Sequence, residues 1–368
     1  LTKKQEPGAK QFPFMRVMFN GVSYEISPAA QGYRMPAEWE PHAATWLSWP
    51  RRKGISFPDA YDSVIPAFVR MVDALRESEP VRINVGDPDH EQQVRQFLKD
   101  IDTRHVEYFH IPTNEPWCRD HGPIFLKRDR DPQLAVVDWD YNAWGNKYPP
   151  FDLDEVVPTR IAEHLHLPVF YPRLVMEGGS FDANGTGSLL TTTSCLLNPN
   201  RNPGKSKIEI EQALRDNLGV TNILWLGDGI EGDDTDGHVD DISRFYGRAA
   251  VLTAVEEDPK DPNFEPLQAN LALLRAMQTE NRTPLEVRPL PMPPRIDREG
   301  RRLPASYANY YVANKVVLLP AFRSPLDQRA AETLQICFPK RRIVPIDCTE
   351  LIWGLGAFHC LTQQQPAI

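Results

Sequence analysis

No apolar run in the chain approaches the roughly 18 residues of a membrane span, and no block of Lys or Arg interrupts its 368 residues. The five cysteines, at 118, 195, 337, 348 and 360, are an odd number and include no C-x-x-C pair. A G-x-S-x-G elbow, an H-E-x-x-H helix and a Walker loop are also missing. These absences argue against a spanning helix, nucleic acid as the main partner and a disulfide scaffold. They also move serine hydrolases, zincins and nucleotide-driven enzymes out of the front rank. The cysteine usage suits a reduced, cytoplasmic chain. Residues 1–20, LTKKQEPGAKQFPFMRVMFN, hold no apolar core long enough for a signal peptide. The chain begins at Leu1, so a leader removed before it is left open.

What is present is ordinary for a globular protein: 41% hydrophobic and 25% charged residues, with 41 Lys+Arg against 50 Asp+Glu and a net charge of −9. The acidic balance is compatible with a small cationic partner. Short β-rich runs alternate with amphipathic stretches. Strands are expected at Val81–Val85, Val106–Ile111, Leu134–Tyr141, Asn222–Leu226, Ala249–Val255, Tyr311–Leu319 and Arg342–Ile346. Helical periodicity places Val64, Phe68, Met71, Val72 and Leu75 on one face, and Ile210, Leu214 and Leu218 on another. Further helices are expected near 91–100, 155–166, 264–281 and 325–338. No composition break follows residue 30, so the pattern reads as α/β in one body.

Five unusual words are spaced by about 50–70 residues: WCRDHGP from Trp117, EGG from Glu177, DGHVDD from Asp236, SYANYY from Ser306 and GLGAFHC from Gly354. The spacing suggests a repeated unit, each copy giving one loop to a shared centre. In the first word a Gly-Pro turn follows a charged tetrad and can fix Asp120 rigidly; the bland alternative is a surface Arg–Asp pair. In the second, two glycines after Glu177 permit the close backbone approach of a pocket edge, or simply a turn. The third is the densest titratable cluster, and in a strand His238 and Asp240 would share a face. A calcium loop fails there, because Gly232 stands where its first acid belongs and Ser243 where its last Glu belongs.

The fourth word, SYANYY, carries no assigned role. In the fifth, Cys360 follows two glycines and a histidine and precedes the polar run Thr362–Gln365, which suits an exposed nucleophile on a flexible loop. A buried structural cysteine is the alternative. Cys195, Cys337 and Cys348 sit among apolar or β-forming neighbours and read as structural, and Cys118 and His121 as bystanders.

These words, with MPAEWEPHAATWLSWP (35–50), EGGSFDANGTGSLLTT and LLNPNRNP (196–203), resemble in order the agmatine deiminase and bacterial peptidylarginine deiminase family. The likeness runs from about residue 33 to the C-terminus. It implies an extension of unknown role over 1–32, then one catalytic domain, 33–368, folded as a five-bladed, pseudo-symmetric α/β propeller (pentein-like) around a central channel. It implies hydrolytic deimination of a guanidinium with release of ammonia. The leading case is agmatine to N-carbamoylputrescine, on the route to putrescine and polyamines; peptidyl or free arginine is the alternative.

By resemblance, Asp120 and Asp240 accept paired hydrogen bonds from the planar guanidinium, and Cys360 attacks its central carbon as a thiolate. His238 protonates the departing ammonia and then activates water against the amidino-cysteine, while Glu177 orients His238. Trp117 and Trp144 would meet the rest of the substrate. Neither a metal nor another cofactor is required, and a homodimer is left open.

The chain also departs from the family. Agmatine-specific members carry Gly-Gly-Gly-Asn-Ile-His-Cys at the nucleophile, whereas here Leu355 replaces the middle glycine and Ala357-Phe358 replace Asn-Ile. The segment Asn142–Pro150 also lacks their longer glycine-rich form. Two other classes therefore stay open. One is a metal-dependent ureohydrolase, since Asp236-x-His238-x-Asp240 resembles part of a dinuclear manganese site, although no second His/Asp set is found. The other is a guanidine-binding protein without turnover.

Overall fold

The computed structural model describes residues 16–19 and 22–368. The expected extension over 1–32 therefore lies partly outside the described residues, and its described part includes an antiparallel hairpin of Arg16–Phe19 with Val22–Glu25. Amphipathic periodicity accounts for the helices. Tyr61–Arg76 turns Val64, Phe68, Met71, Val72 and Leu75 into the core. Lys207–Leu218 starts on a reciprocal cap between Ser206 and Glu209 and stops at Gly219, whose φ of 67° is left-handed. The expected helices near 91–100, 155–166, 264–281 and 325–338 form as Pro88–Phe97, Val157–Leu165, Phe264–Ala276 and Pro325–Cys337.

Five sheets repeat one plan, in which an outer strand runs antiparallel to a central strand. The central strand then lies parallel to a third, reached through a helical crossover. The first unit is Ile124–Lys127, Leu134–Val137 and Val169–Phe170; the second is Phe181–Ala183, Ser188–Thr192 and Asn222–Leu226. Ser243–Gly247, Ala250–Val255 and Glu286–Pro291 make the third, and Tyr311–Val312, Val316–Ala321 and Arg342–Asp347 the fourth. The fifth unit joins the two ends of the described chain. Its outer strand, Thr362–Pro366, pairs with His42–Ser48, which leads on to Val81–Val85 and Val106–His110.

Ahead of every outer strand lies one short turn: Cys118–His121, Gly178–Ser180, Val239–Asp241, Tyr307–Asn309 and Phe358–Leu361. Each turn packs against the next and the last against the first, closing a ring. This is the expected five-unit α/β propeller, and its shared centre is the ring of turns. The single strand expected over Tyr311–Leu319 is instead a hairpin, because the chain reverses at Asn314 and Ala313 N–H donates back to Val316 O at 2.9 Å. The strand expected over Leu134–Tyr141 ends at Val137.

Two sequence expectations about the words themselves are corrected. His238 and Asp240 do not share a strand face: they sit at the start of and within a single 3-10 turn. Cys360 is not on an exposed flexible loop. It is 5% exposed, within the helical turn Phe358–Leu361, and the polar run after it is a buried strand. Two of its three glutamines use their amide oxygens, Gln364 Oε1 accepting from Arg119 at 2.8 Å and Gln365 Oε1 from Trp46 at 3.0 Å and Arg82 at 2.6 Å, whereas Gln363 Oε1 has no hydrogen-bond partner.

Candidate active site

The ring of turns brings Asp120, Glu177, His238, Asp240 and Cys360 together, one or two from each of four turns or its N-terminal edge, and all five are buried. Cys360 Sγ lies 3.7 Å from Asp240 Oδ2 and receives the Asn309 Nδ2 hydrogen bond at 3.0 Å. Asn309 Oδ1 meanwhile accepts from the backbone N–H groups of His359 and Cys360, at 3.0 and 3.3 Å. One amide thus fixes both the main chain and the sulfur of the Cys360 turn. Burial, with Asp240, Asp241 and Asp120 nearby, raises the Cys360 thiol well above its ordinary range. A thiol in this setting ionises when positive charge arrives.

His238 is wholly buried between carboxylates. Its Nδ1 stands 3.7 Å from Asp120 Oδ1 and 3.9 Å from Asp240 Oδ1, and its Nε2 stands 3.7 Å from Glu177 Oε2. Burial opposes its charge, but Asp120, Glu177 and Cys195 more than offset that and raise its pKa well above the ordinary value. Burial also pushes Asp120 up to about 6, with Asp240 and Glu177 adding to the rise and His238 restraining it. Glu177 is held low against burial, chiefly by Arg201, whose Nε donates to Oε1 at 2.6 Å.

Gly179 packs tightly against these groups. A Cβ built there would lie 2.6 Å from His238 Nδ1, 2.8 Å from Asp120 Oδ1 and 3.0 Å from Asp240 Oδ2. Only glycine lets the backbone approach the two carboxylates and the histidine this closely. Its N–H also donates to Asp120 Oδ1 at 3.0 Å. Asp240 Oδ1 has no partner, whereas its Oδ2 lies 2.7 Å from His359 Nδ1.

Behind Asp240 a second buried network converges on Glu38. Its Oε2 receives Arg244 at 2.7 Å and Arg119 at 3.3 Å and lies 2.8 Å from His359 Nε2, while Oε1 accepts from Val312 N–H at 2.8 Å. Both His359 ring nitrogens therefore face carboxylates. Burial would raise Glu38, yet Arg244, His359 and Arg119 hold it well below the carboxylate range. The expectation that Arg119 is engaged beside Asp120 is corrected: its guanidinium meets Glu38, Gln364 and the His359 carbonyl.

A cavity of about 870 Å³, counting the part open to solvent, reaches Asp120 and Cys360. Trp117 and Trp144 both line it, as expected, and Trp144 Nε1 donates to Asp120 Oδ2 at 3.0 Å. Trp117 lies against Gly356, where a Cβ would come within 2.6 Å of its ring. Leu355 adopts a left-handed φ of 68°, the conformation for which a glycine is the usual choice. Tyr148, Asp234, Arg301 and Trp353 complete the mouth.

Sequence reasoning marked the words containing Asn309, Arg201 and Glu38 but assigned these residues no role. Nothing in a word shows which polar residue will be buried against which distant partner. For metal ligation, Glu177, Cys195 and His238 offer one atom each within 4.8 Å of one another. Asp236 does not join His238 and Asp240 in a ligand set, because its carboxylate meets Lys147, Asn200 and Arg201.

A family model described as Porphyromonas-type peptidyl-arginine deiminase matches residues 34–366. The chain belongs to that family. Among the relatives of this deiminase-family chain, the agmatine deiminase of Pseudomonas syringae pv. tomato is 35% identical over 368 residues, covering 93% of this chain and 97% of the relative. A solved agmatine deiminase of Enterococcus faecalis superposes with a TM-score of 0.87 at 33% identity, covering 93% of this chain and 98% of that one. A substrate-bound cysteine-to-serine variant of C. jejuni agmatine deiminase gives a TM-score of 0.83 at 29% identity, over 90% and 96% of the two chains.

Proposed function

We propose that the protein hydrolyses the guanidinium of agmatine to a ureido group and ammonium through a covalent amidino-cysteine. The observation that carries this reading is the convergence of Asp120 and Cys360 on one cavity, with Asp240 Oδ2 3.7 Å from the Cys360 sulfur and His238 Nδ1 between Asp120 and Asp240. A planar cation with forked N–H donors matches opposed carboxylates. Its charge also offsets the three acids that keep the Cys360 thiol protonated, so substrate binding ionises the nucleophile. The thiolate adds to the guanidinium carbon, and His238 gives its proton to the departing ammonia. Water then attacks the carbon of the amidino-thioether that remains on Cys360 as His238 takes the water's proton, and the carbon–sulfur bond breaks to release the ureido product and return the Cys360 thiolate. Glu177, anchored by Arg201, fixes the histidine from behind. The chemistry asks nothing of a metal.

The mouth favours agmatine through Asp234, whose carboxylate accepts from Tyr148 OH, and through the faces of Trp117 and Trp144, which suit an alkyl ammonium. One observation favours a second substrate. Arg301 lines the same cavity, is exposed and makes no ion pair among the described residues, so it can meet the carboxylate of free or peptidyl arginine.

Ammonia release measured over agmatine, arginine and arginine peptides, with and without chelator, separates the readings. Agmatine is expected to give the highest kcat/KM, unchanged by chelation. A competitor better by more than about tenfold, roughly 1.4 kcal/mol, moves the substrate to arginine. Urea as the product would mean ureohydrolysis, and binding without ammonia a protein that does not turn over.

A further inference from the structure

The two nitrogens of His238 face different surroundings. Nδ1 faces Asp120 and Asp240, while Nε2 faces Glu177 Oε2. Nε2 and Glu177 Oε2 are buried, lie 3.7 Å apart and have no hydrogen-bond partner. Two buried polar atoms aimed into one space are costly unless something joins them. The third group there is Cys195, also buried, whose sulfur lies within 4.8 Å of the other two ligand atoms.

We propose that Glu177, Cys195 and His238 form an inhibitory binding site for a thiophilic divalent cation of the zinc type. Sulfur, imidazole and carboxylate together suit zinc, whereas magnesium and calcium demand oxygen ligands. Bonds of about 2.0–2.3 Å set tetrahedral edges of roughly 3.3–3.8 Å, so the three atoms need close by no more than about 1.5 Å. Each ligand is also pinned from outside the site. Arg201 holds Glu177 Oε1 and leaves Oε2 to the space. The Cys195 turn is tied to the His238 loop through Thr192, whose Oγ1 accepts from Cys195 N–H at 3.3 Å and donates to Gly237 O at 2.6 Å. The His238 N–H is fixed by Thr235 Oγ1 at 3.1 Å.

Binding displaces the proton of the Cys195 thiol and the one on His238 Nε2, with no redox change. The cation then occupies the nitrogen that Glu177 orients, and His238 can no longer shuttle a proton for the deimination proposed above. Inhibition therefore rests on that proposal, but occupancy of the site does not.

The test uses chelator-stripped full chain. Zinc titrated by equilibrium dialysis without substrate is expected to show one tight equivalent in the wild type and in Cys360→Ala, and none in Cys195→Ser. Cobalt added to Cys360→Ala should give a thiolate-to-metal absorption band, which needs no folded Cys195 variant to interpret. In the ammonia assay, half-inhibition of Cys195→Ser, relative to its own uninhibited rate, should need at least tenfold more zinc than the wild type, with magnesium inert on both. Wild-type affinity in Cys195→Ser, loss of binding in Cys360→Ala, no cobalt band or no bound zinc at all would each overturn the site. An enzyme that releases ammonia but binds no zinc overturns this inference alone. One that binds zinc at this site but deiminates nothing overturns the functional reading alone.

Discussion

At the floor of the cavity, Asp120, Glu177, His238, Asp240 and Cys360 are all buried and lie on or beside four of the five turns that open the units. At the mouth, Tyr148, Asp234, Arg301 and Trp353 are half-buried or exposed and sit on connections that differ from unit to unit. Floor groups are braced by charged partners deeper in the protein: Arg201 behind Glu177, and His359 with Glu38 behind Asp240. The mouth is braced by longer loops, and one of these, Ala143–Asn146, runs through four consecutive positive φ values of 49°, 55°, 88° and 63°. Such a run costs on the order of 1–2 kcal/mol at each non-glycine position. It persists because Trp144 bonds to Asp120 and Lys147 to Asp236. Repetition thus builds the floor of the candidate site, while loop variation shapes its mouth.

If this division is right, substitutions at the floor stop turnover and those at the mouth redistribute substrates. The largest effect is expected from Cys360→Ala, which should abolish ammonia release while Cys118→Ala, Cys337→Ala and Cys348→Ala keep most of it. Appreciable turnover without Cys360 would remove the covalent step. Next is Gly179→Ala, whose methyl would press on His238, Asp120 and Asp240 and displace them. A loss of about a hundredfold or more in kcat/KM is expected, with circular dichroism unchanged.

Acidity should act on the floor as well. Asp120, with its pKa pushed up to about 6, is ionised above that pH and protonated below it. The profile of kcat/KM, which reports the free enzyme, should therefore fall as pH drops through about 6. It should fall again on the alkaline side, as His238 loses the proton that its raised pKa retains. An acid limb left unmoved in Asp120→Asn would detach it from this residue.

At the mouth, Trp144→Ala removes one hydrogen bond to a carboxylate, about 1.5–3 kcal/mol, and should lower kcat/KM by roughly ten- to a hundredfold, mostly through KM. Arg301→Ala should weaken arginine severalfold and leave agmatine alone; equal losses on both substrates would erase the distinction between floor and mouth. The smallest effect belongs to Leu355→Gly, where relief at a φ of 68° trades against lost side-chain packing. Its kcat/KM should stay within about threefold of the parent.

Much of this was legible before any coordinates. The helix Tyr61–Arg76 followed from its apolar face, and the strands Val81–Val85 and Asn222–Leu226 from β-rich runs, because both depend on neighbours a few residues away. The spacing of the five words anticipated five units, since a repeated supersecondary unit leaves a period in the chain. Its words also held Asp120, His238 and Asp240, the residues now found packed around Gly179. Tertiary structure alone decided what stands behind them. Glu38 and His359 are 321 positions apart, and Asn309 and Cys360 51 apart, and each pair meets because strand Thr362–Pro366 returns to His42–Ser48 and closes the ring. The same closure turned a glutamine-rich run into a buried strand and an expected flexible loop into a rigid turn. The physical reason is one of range. Periodicity and turn chemistry act over a few residues and are written locally, whereas a buried carboxylate or thiol takes its charge state and partners from whatever the fold packs against it.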